Sequence, residues 1–172
     1  MLKMSYRKYR IAGLILLAVI VASAFLTRAF FTPKMAPEVS FTLLSGQSLS
    51  MSALRGKVTI VHFWATSCTT CIREMPQLMR VYEQLQPRNL EMIAVAMSYD
   101  PPMYVSHYTQ TRQLPFKVAM DSDGRIARAF GNVQLTPTTF VIDQRGHIIK
   151  HYVGEPTWPS FQALLEQTLT KS

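Results

Sequence analysis

Cys68 and Cys71 are the only cysteines in the 172 residues, and they stand three apart. Such a C-x-x-C pair can close a disulfide and can therefore take up or release two electrons by thiol–disulfide exchange. The attacking species is the thiolate, which forms most readily where positive potential lowers the thiol pKa. A helix N-terminus supplies that potential, because its first N–H groups lack intrahelical partners and the helix dipole is positive there. The neighbouring residues predict this placement. Val58-Thr59-Ile60-Val61-His62-Phe63 is an apolar, largely β-branched run after Gly56 and reads as a buried strand. From Cys68 to about Gln86 the pattern is helical, with Pro76 set to kink it. A strand emptying into a helix leaves Cys68 at the helix start and Cys71 one turn on, on the same face. Cys71 can then close the ring by attacking a mixed disulfide formed at Cys68.

The rest of the chain supplies a frame for that pair. Ser40–Leu44 and Gln47–Leu49 flank Ser45-Gly46 and read as a hairpin, followed by a helical turn at Met51–Arg55. Leu90–Met97 reads as a second buried strand. Pro102–Gln113 reads as a helix with Pro near its start and Pro115 beyond its end. Phe116–Met120 is expected as an edge strand and Gly124–Phe130 as a short helix stopped by Gly131. Thr138–Asp143 and His147–Val153 read as a hairpin through Gln144-Arg145-Gly146. Thr157–Thr170 closes the chain as an amphipathic helix with Phe161, Leu164, Leu165 and Leu169 on one side. This order predicts an α/β fold with a mixed sheet flanked by helices and an N-terminal β-hairpin extension.

Hydrophobic residues make up 48% and charged residues 16%, which suits one globular domain plus an apolar appendage. The net charge of +8 is unevenly spread: Lys3, Arg7, Lys8, Arg10 and Arg28 lie in the first 28 residues, where no acid occurs. The remainder is only mildly basic, so no nucleic-acid partner is expected. Ile11–Leu26 carries no charge; extended to Phe31, with Arg28 snorkelling, it reaches roughly the 20 residues that span a bilayer. The expected organisation is a basic cytoplasmic stub at 1–10 and a transmembrane signal-anchor at 11–31. A Pro-containing linker at 32–36 then leads to the globular domain at 37–172. Four basic residues ahead of the span orient it, by the positive-inside rule, with the N-terminus in the cytoplasm. Ala22-Ser23-Ala24 has the form of a cleavage site, so a removed signal peptide is the alternative. Either way the domain faces an oxidising compartment, the periplasm or cell exterior.

The chain resembles the thioredoxin-fold proteins, and among them the membrane-anchored TlpA/ResA/CcmG type of bacteria. The resemblance rests on Gly56-Lys57, on Phe63-Trp64-Ala65-Thr66 leading into Cys68-x-x-Cys71, and on Glu74-Met75-Pro76. Leu135-Thr136-Pro137-Thr138-Thr139-Phe140-Val141-Ile142-Asp143 with Gly146 completes it, and it runs from about Ala36 to the C-terminus. It implies a thioredoxin fold and protein thiol–disulfide exchange without a cofactor, usually as a disulfide reductase. Its partners would be disulfide-bearing periplasmic proteins, a membrane thiol electron donor and the cytoplasmic membrane. Apocytochromes c and copper-site proteins are among the clients it leaves open. By resemblance Cys68 is the nucleophile, Cys71 the resolving thiol and Pro137 the cis-proline facing the dithiol. A cis bond there would leave the Thr136 backbone free to pair with an extended substrate, and Trp64 and Ser67 fall in the substrate-contacting stretch.

The departures from that pattern matter as much. Ser67 stands where the family usually has Trp, which removes a flat apolar contact surface for substrates. Thr69-Thr70 replaces a Pro-containing dipeptide. His62 lies six residues before Cys68, where thioredoxin carries a buried Asp. Its imidazole either manages the Cys71 proton or is a half-buried strand histidine with a backbone partner. Asp100 falls either where the family places an acid facing the dithiol or in an ordinary Asp-Pro turn. Arg73 and Glu74 are expected to be solvated. His107, His147 and His151 read as surface or strand histidines, and the ten methionines as core filler. The competing function is a Cu(I) or zinc module gripping metal through Cys68 and Cys71, although two ligands leave such a site open and no further metal ligands are predicted.

Overall fold

The structure is a computed structural model that describes residues 3–30 and 34–171, with side chains described from 9 to 23 and from 34 to 171. The chain divides into two units, Met1–Pro33 and Lys34–Ser172. In the first, helix α1 runs Lys3–Phe30. Its described side chains, from Tyr9 to Ser23, are all exposed. Among the described residues no helix is long and apolar enough to cross a membrane. The expected anchor at 11–31 and linker at 32–36 fall partly outside the described residues, as does the start of the stub at 1–10.

The second unit starts with Lys34–Ala36 already docked. The Ile148 amide donates to the Lys34 carbonyl and the Ala36 amide to that of Gly146, both at 2.8 Å. The strands are β1 Ser40–Leu43, β2 Ser48–Ser50, β3 Val58–Trp64, β4 Leu90–Ala96, β5 Lys117–Met120, β6 Thr138–Ile142 and β7 Ile148–Val153. Between them lie helices α2 Thr69–Leu85, α3 Pro102–Thr111 and α4 Arg125–Ala129, with α5 Trp158–Thr170 at the end. The sheet order is β2-β1-β5-β4-β3-β6-β7. The β3–β4 and β4–β5 pairs are parallel and the others antiparallel, so the sheet is mixed as predicted. One expectation is overturned: β5 is not an edge strand. Thr42 and Leu43 of β1 pair with Met120 and Ala119, so the N-terminal hairpin covers the edge that β5 would otherwise expose.

Every residue of β3 and β4 is buried, as central strands packed on both faces must be. The twofold side-chain alternation sends Val58, Ile60, His62 and Trp64 to one face and Val61 and Phe63 to the other. The first face packs against Met75, Leu78 and Val81 of α2, Val105 of α3 and Phe161 and Leu165 of α5. The second packs against Ile126 and Ala127 of α4 and against Ala36, Phe41, Met51 and Leu54. Helix α2 continues through Pro76 without interruption from Thr69 to Leu85. The active stretch therefore hangs between a strand with no solvent face and a helix whose apolar stripe is clamped to that strand.

Candidate active site

Cys68 is the N-cap of α2, with extended backbone (φ −86°, ψ 102°), and its Sγ accepts a hydrogen bond from the Cys71 amide at 3.2 Å. The side chain thus occupies the capping position usually held by a Ser or Asp oxygen. In the reduced protein the same amide and the helix dipole stabilise a thiolate at that sulfur. Cys68 and Cys71 are joined in a disulfide, with an S–S length of 2.18 Å and a Cα–Cα separation of 5.2 Å. Cys71 is fully buried, whereas Cys68 is partly accessible. Of the two sulfurs, Cys68 is the one open to solvent.

The segment that delivers the chain from β3 to Cys68 is pinned from the side. Asp100, in the loop between β4 and α3, accepts from the Thr66 amide at 2.6 Å and from the Thr66 hydroxyl at 2.5 Å. Its carboxylate is buried and aimed at the approach to the dithiol, so Asp100 is not a solvated turn residue. It holds Thr66, two residues before Cys68, and has no contact with either sulfur. On the other flank, the Thr136–Pro137 bond is cis, as the resemblance implies. Thr138 pairs with Phe63 across the β3–β6 ladder, so Pro137 lies at the end of the sheet from which α2 departs. Among the described residues none hydrogen-bonds to the Thr136 main chain. Its hydroxyl lies 3.4 Å from that of Tyr99.

His62 is fully buried on the α2 face of β3. Its Nδ1 is 2.9 Å from the Thr139 hydroxyl, its register partner on β6, and its Nε2 is 3.5 Å from Oε1 of Glu74. Both ring nitrogens therefore face other groups than the sulfurs, and the partner is a side chain rather than backbone. Burial drives the His62 pKa down to about 3, so the ring is neutral and a poor base on its own.

Glu74 overturns its expectation. It is only 1% exposed, not solvated, while its neighbour Arg73 points outward to Glu155 at 3.0 Å. Burial, with help from the Glu155 charge and against that of Arg73, raises the Glu74 pKa to about 8. At neutral pH most of the carboxyl is protonated, which spares the core a buried charge. Neither Glu74 oxygen, nor Nε2, nor the indole N–H of Trp64 has a partner within hydrogen-bond distance, and such orphaned polar atoms are costly in a core. The sequence carried a signal for Glu74. Cys71, Glu74, Met75 and Leu78 follow the i, i+3, i+4, i+7 spacing of a buried helix stripe, so an acid at 74 had to face the strand.

Trp64 does not serve the substrate contact expected of it. It is wholly buried, its ring 5.4 Å from that of Tyr108, because it falls on the inward phase of β3. Ser67 is exposed beside Cys68 and Thr136 is half-buried at the rim. Of the remaining histidines, His107 is exposed on α3, His147 meets Asp143 at 3.3 Å and His151 stacks on Phe140 at 4.4 Å. Among the described residues no group of three or more His, Cys, Asp or Glu is arranged to hold a metal, so a metal here would rest on the two sulfurs alone.

Comparison with known proteins agrees with this geometry. The model of the Redoxin family matches residues 33–167. The thiol-disulfide oxidoreductase ResA of Bacillus thuringiensis subsp. konkukian is 31% identical over 134 residues, 78% of this chain and 76% of that protein. A crystal structure of a thioredoxin-family thiol:disulfide interchange protein from Chlorobium tepidum TLS superposes with a TM-score of 0.73. It is 29% identical and covers 80% of this chain and 97% of its own. A solution structure described as a thioredoxin of Neisseria meningitidis gives a TM-score of 0.76 at 35% identity, covering 82% of this chain and 93% of its own.

Proposed function

Since the chain belongs to the Redoxin family and is a thiol–disulfide oxidoreductase of the TlpA/ResA/CcmG type, we propose that it reduces disulfides in client proteins outside the cytoplasm. The observation that carries the chemistry is the Cys68 sulfur capping α2 and receiving the Cys71 amide, with Cys71 buried one turn behind. The Cys68 thiolate attacks one client sulfur, and the client disulfide breaks to a mixed disulfide and a client thiolate. Cys71 then gives up its proton and attacks Cys68 Sγ, which expels the second client thiolate. Two electrons pass to the client, its two sulfurs take up protons, and the protein is left with the Cys68–Cys71 disulfide. Resetting it requires a dithiol electron donor at the membrane.

Glu74 stands one helical turn from Cys71 on the same face; with its pKa raised to about 8, only the minor ionised fraction present at neutral pH can take the Cys71 proton, and that fraction grows as the pH rises. The neutral His62 ring faces that carboxyl at 3.5 Å without a hydrogen bond. Asp100 holds the approach to Cys68, and the unpaired main chain of Thr136 is offered to an extended client strand.

The location rests on the N-terminal unit. Helix α1 is 28 residues long, its charge-free stretch begins at Ile11 behind Lys3, Arg7, Lys8 and Arg10, and its apolar side chains Leu14 to Leu17 are exposed. An exposed apolar helix of this kind fits a single-pass anchor with the N-terminus in the cytoplasm.

Two measurements test the reading. A Cys71→Ser protein should accumulate client mixed disulfides through Cys68 in cells, and a Cys68→Ser protein should accumulate none. Added protease should digest the domain in spheroplasts but spare it in inside-out vesicles. Digestion only in the inverted vesicles would place the domain in the cytoplasm and end the extracytoplasmic reading.

A further inference from the structure

A cleft of about 650 Å³ opens at the end of the sheet opposite the dithiol, beside Gly56 and the close of β6. Arg145, Gln167 and Lys171 line it from exposed positions, and Ile149, Leu164 and Thr168 lie deeper. Disulfide exchange uses none of them. Three ties gather separate segments around the cleft. The Gly56 amide donates to the Gln144 carbonyl at 2.8 Å, and the Asn89 side chain donates to the Gly56 carbonyl at 2.9 Å. The Gln144 side chain donates to the Thr168 carbonyl at 3.0 Å. Arg88, Arg145 and Lys171, from three different parts of the chain, are thereby brought to one end of the domain.

The charge at that end is unbalanced. Among the described residues Arg88, Arg145 and Lys171 enter no ion pair. The nearby acids are largely engaged. Asp143, which also borders the cleft, accepts from the His147 amide at 2.7 Å and meets its ring at 3.3 Å. Glu91 is held by Lys57 at 3.5 Å and Lys117 at 2.6 Å. Glu83 and Glu166 stand near the ends of α2 and α5 that come to this side, and Glu166 accepts from Gln162 at 3.2 Å. The domain is also entered here, since Lys34 and Ala36 dock on Ile148 and Gly146, next to Ile149 and Arg145 of the cleft. In the single-pass reading above, the chain leaves the bilayer only a few residues before Lys34. Lipid headgroups are then the anionic groups presented to this end at high effective concentration.

We propose that the Arg88, Arg145 and Lys171 face, with its cleft, is a binding site for the phosphate headgroups of anionic phospholipid. Arg145 and Lys171 at the cleft take the phosphate, a pairing of free cations with an anionic surface that needs no burial of charge. Ile149 and Leu164 below them suit the apolar boundary beneath a headgroup, and the cleft has the size of a small organic ligand rather than of a single ion. Docked in this way, the domain carries its dithiol on the side turned away from the bilayer, where soluble clients arrive. The inference rests on the extracytoplasmic single-pass reading above and gives the domain a second hold on the same membrane.

Amide hydrogen exchange of the full-length protein in lipid nanodiscs tests it, with discs of phosphatidylcholine alone set against discs of phosphatidylcholine and phosphatidylglycerol in equal parts. Exchange over 143–147 and 164–171 is expected to be about fivefold slower in the anionic discs, and exchange over 121–126, at the dithiol end, to be the same in both. An Arg145→Gln/Lys171→Gln protein should bring the difference to about twofold or less, as should raising the salt to about 1 M. Equal exchange in the two kinds of disc, or a slowing that the double substitution leaves intact, overturns the headgroup site. Inorganic phosphate that produced the same slowing in phosphatidylcholine discs would make this a site for the free ion and overturn the lipid assignment. Should the full-length chain enter neither kind of disc, the anchor reading fails first and the headgroup site falls with it. Because each variant is compared with itself in two lipids, one that merely folds less well exchanges faster in both and leaves the ratio unchanged.

Discussion

The two faces of β3 are both buried and differ in what they contain. On the α4 side, Phe63, Phe130 and Phe140 meet in a cluster with ring centroids 5.0 to 6.0 Å apart. Around them are Val61, Ile93, Val95 and Ile142, and the only unpartnered polar side-chain atom on this face of β3 among the described residues is the Thr59 hydroxyl. On the α2 side, the same strand offers His62 and Trp64 to Cys71 and Glu74, with four polar atoms of those residues left without partners. One face is arranged for stability. The other carries buried ionisable groups that a core built for stability alone would replace, because each costs desolvation free energy. The difference shows where the fold gives up stability for chemistry.

The comparison can be broken most severely at the dithiol. Cys71→Ser should lower turnover on the order of a thousandfold or more, measured as insulin disulfide reduction, while the folded state persists. If turnover survived, Cys71 would be a core residue and the α2 face would be no different from its opposite. Phe63→Ala is the mirror test. It should cost about 3–5 kcal/mol in urea unfolding, with the exchange rate of the remaining folded protein changed little. A large loss of exchange rate without a loss of stability would mean that both faces serve the reaction.

Asp100→Asn should come next, at about 1–3 kcal/mol, through the loss of a charged acceptor for the Thr66 amide and hydroxyl. Unlike Phe63→Ala, it should also slow client attack, because Thr66 sets the approach of Cys68. Stopped-flow rates with a peptide disulfide would read that. An Asp100→Asn protein with weakened stability and an unaltered rate would reduce Asp100 to a structural turn.

The smallest effect is the most specific. In the oxidised protein no thiol titrates, and the pH dependence of stability isolates the buried pair. Glu74 holds its proton up to about 8 when folded, against 4.5 ordinarily, so the unfolded chain binds fewer protons across that window and stability falls as the pH rises through it. His62 is held neutral down to about 3 against 6.5, so its contribution rises with pH between those values. The two oppose each other from 4.5 to 6.5, and the decline due to Glu74 stands alone from about 6.5 to 8. Its slope is no more than about 1.4 kcal/mol per pH unit, the limit for a single proton. Glu74→Gln should flatten it, and urea midpoints taken at half-unit steps would show whether it does.

Much of this was legible in advance. The order of strands and helices, the position of Cys68 at a helix start and the chemistry of a C-x-x-C pair follow from residue type and spacing. Three readings failed for one shared reason. β5 was placed at an edge and Glu74 in solvent from their own segments, and Trp64 in a substrate-contacting stretch by resemblance. A partner segment far along the chain decided each of them: β1 covers β5, β3 buries Glu74, and Tyr108 of α3 encloses Trp64.

By itself the sequence determined the reactive pair, its electrostatic setting and the alternation that sends His62 toward α2. These depend on local periodicity and on the chemistry of single residues. Only the tertiary structure decided that His62 meets Glu74, that Asp100 binds Thr66 across 34 positions, and that Tyr99 joins Thr136 across 37. Contacts at such separations leave no periodic trace in either segment, because they arise from how the sheet orders its strands and not from the pattern within any one of them.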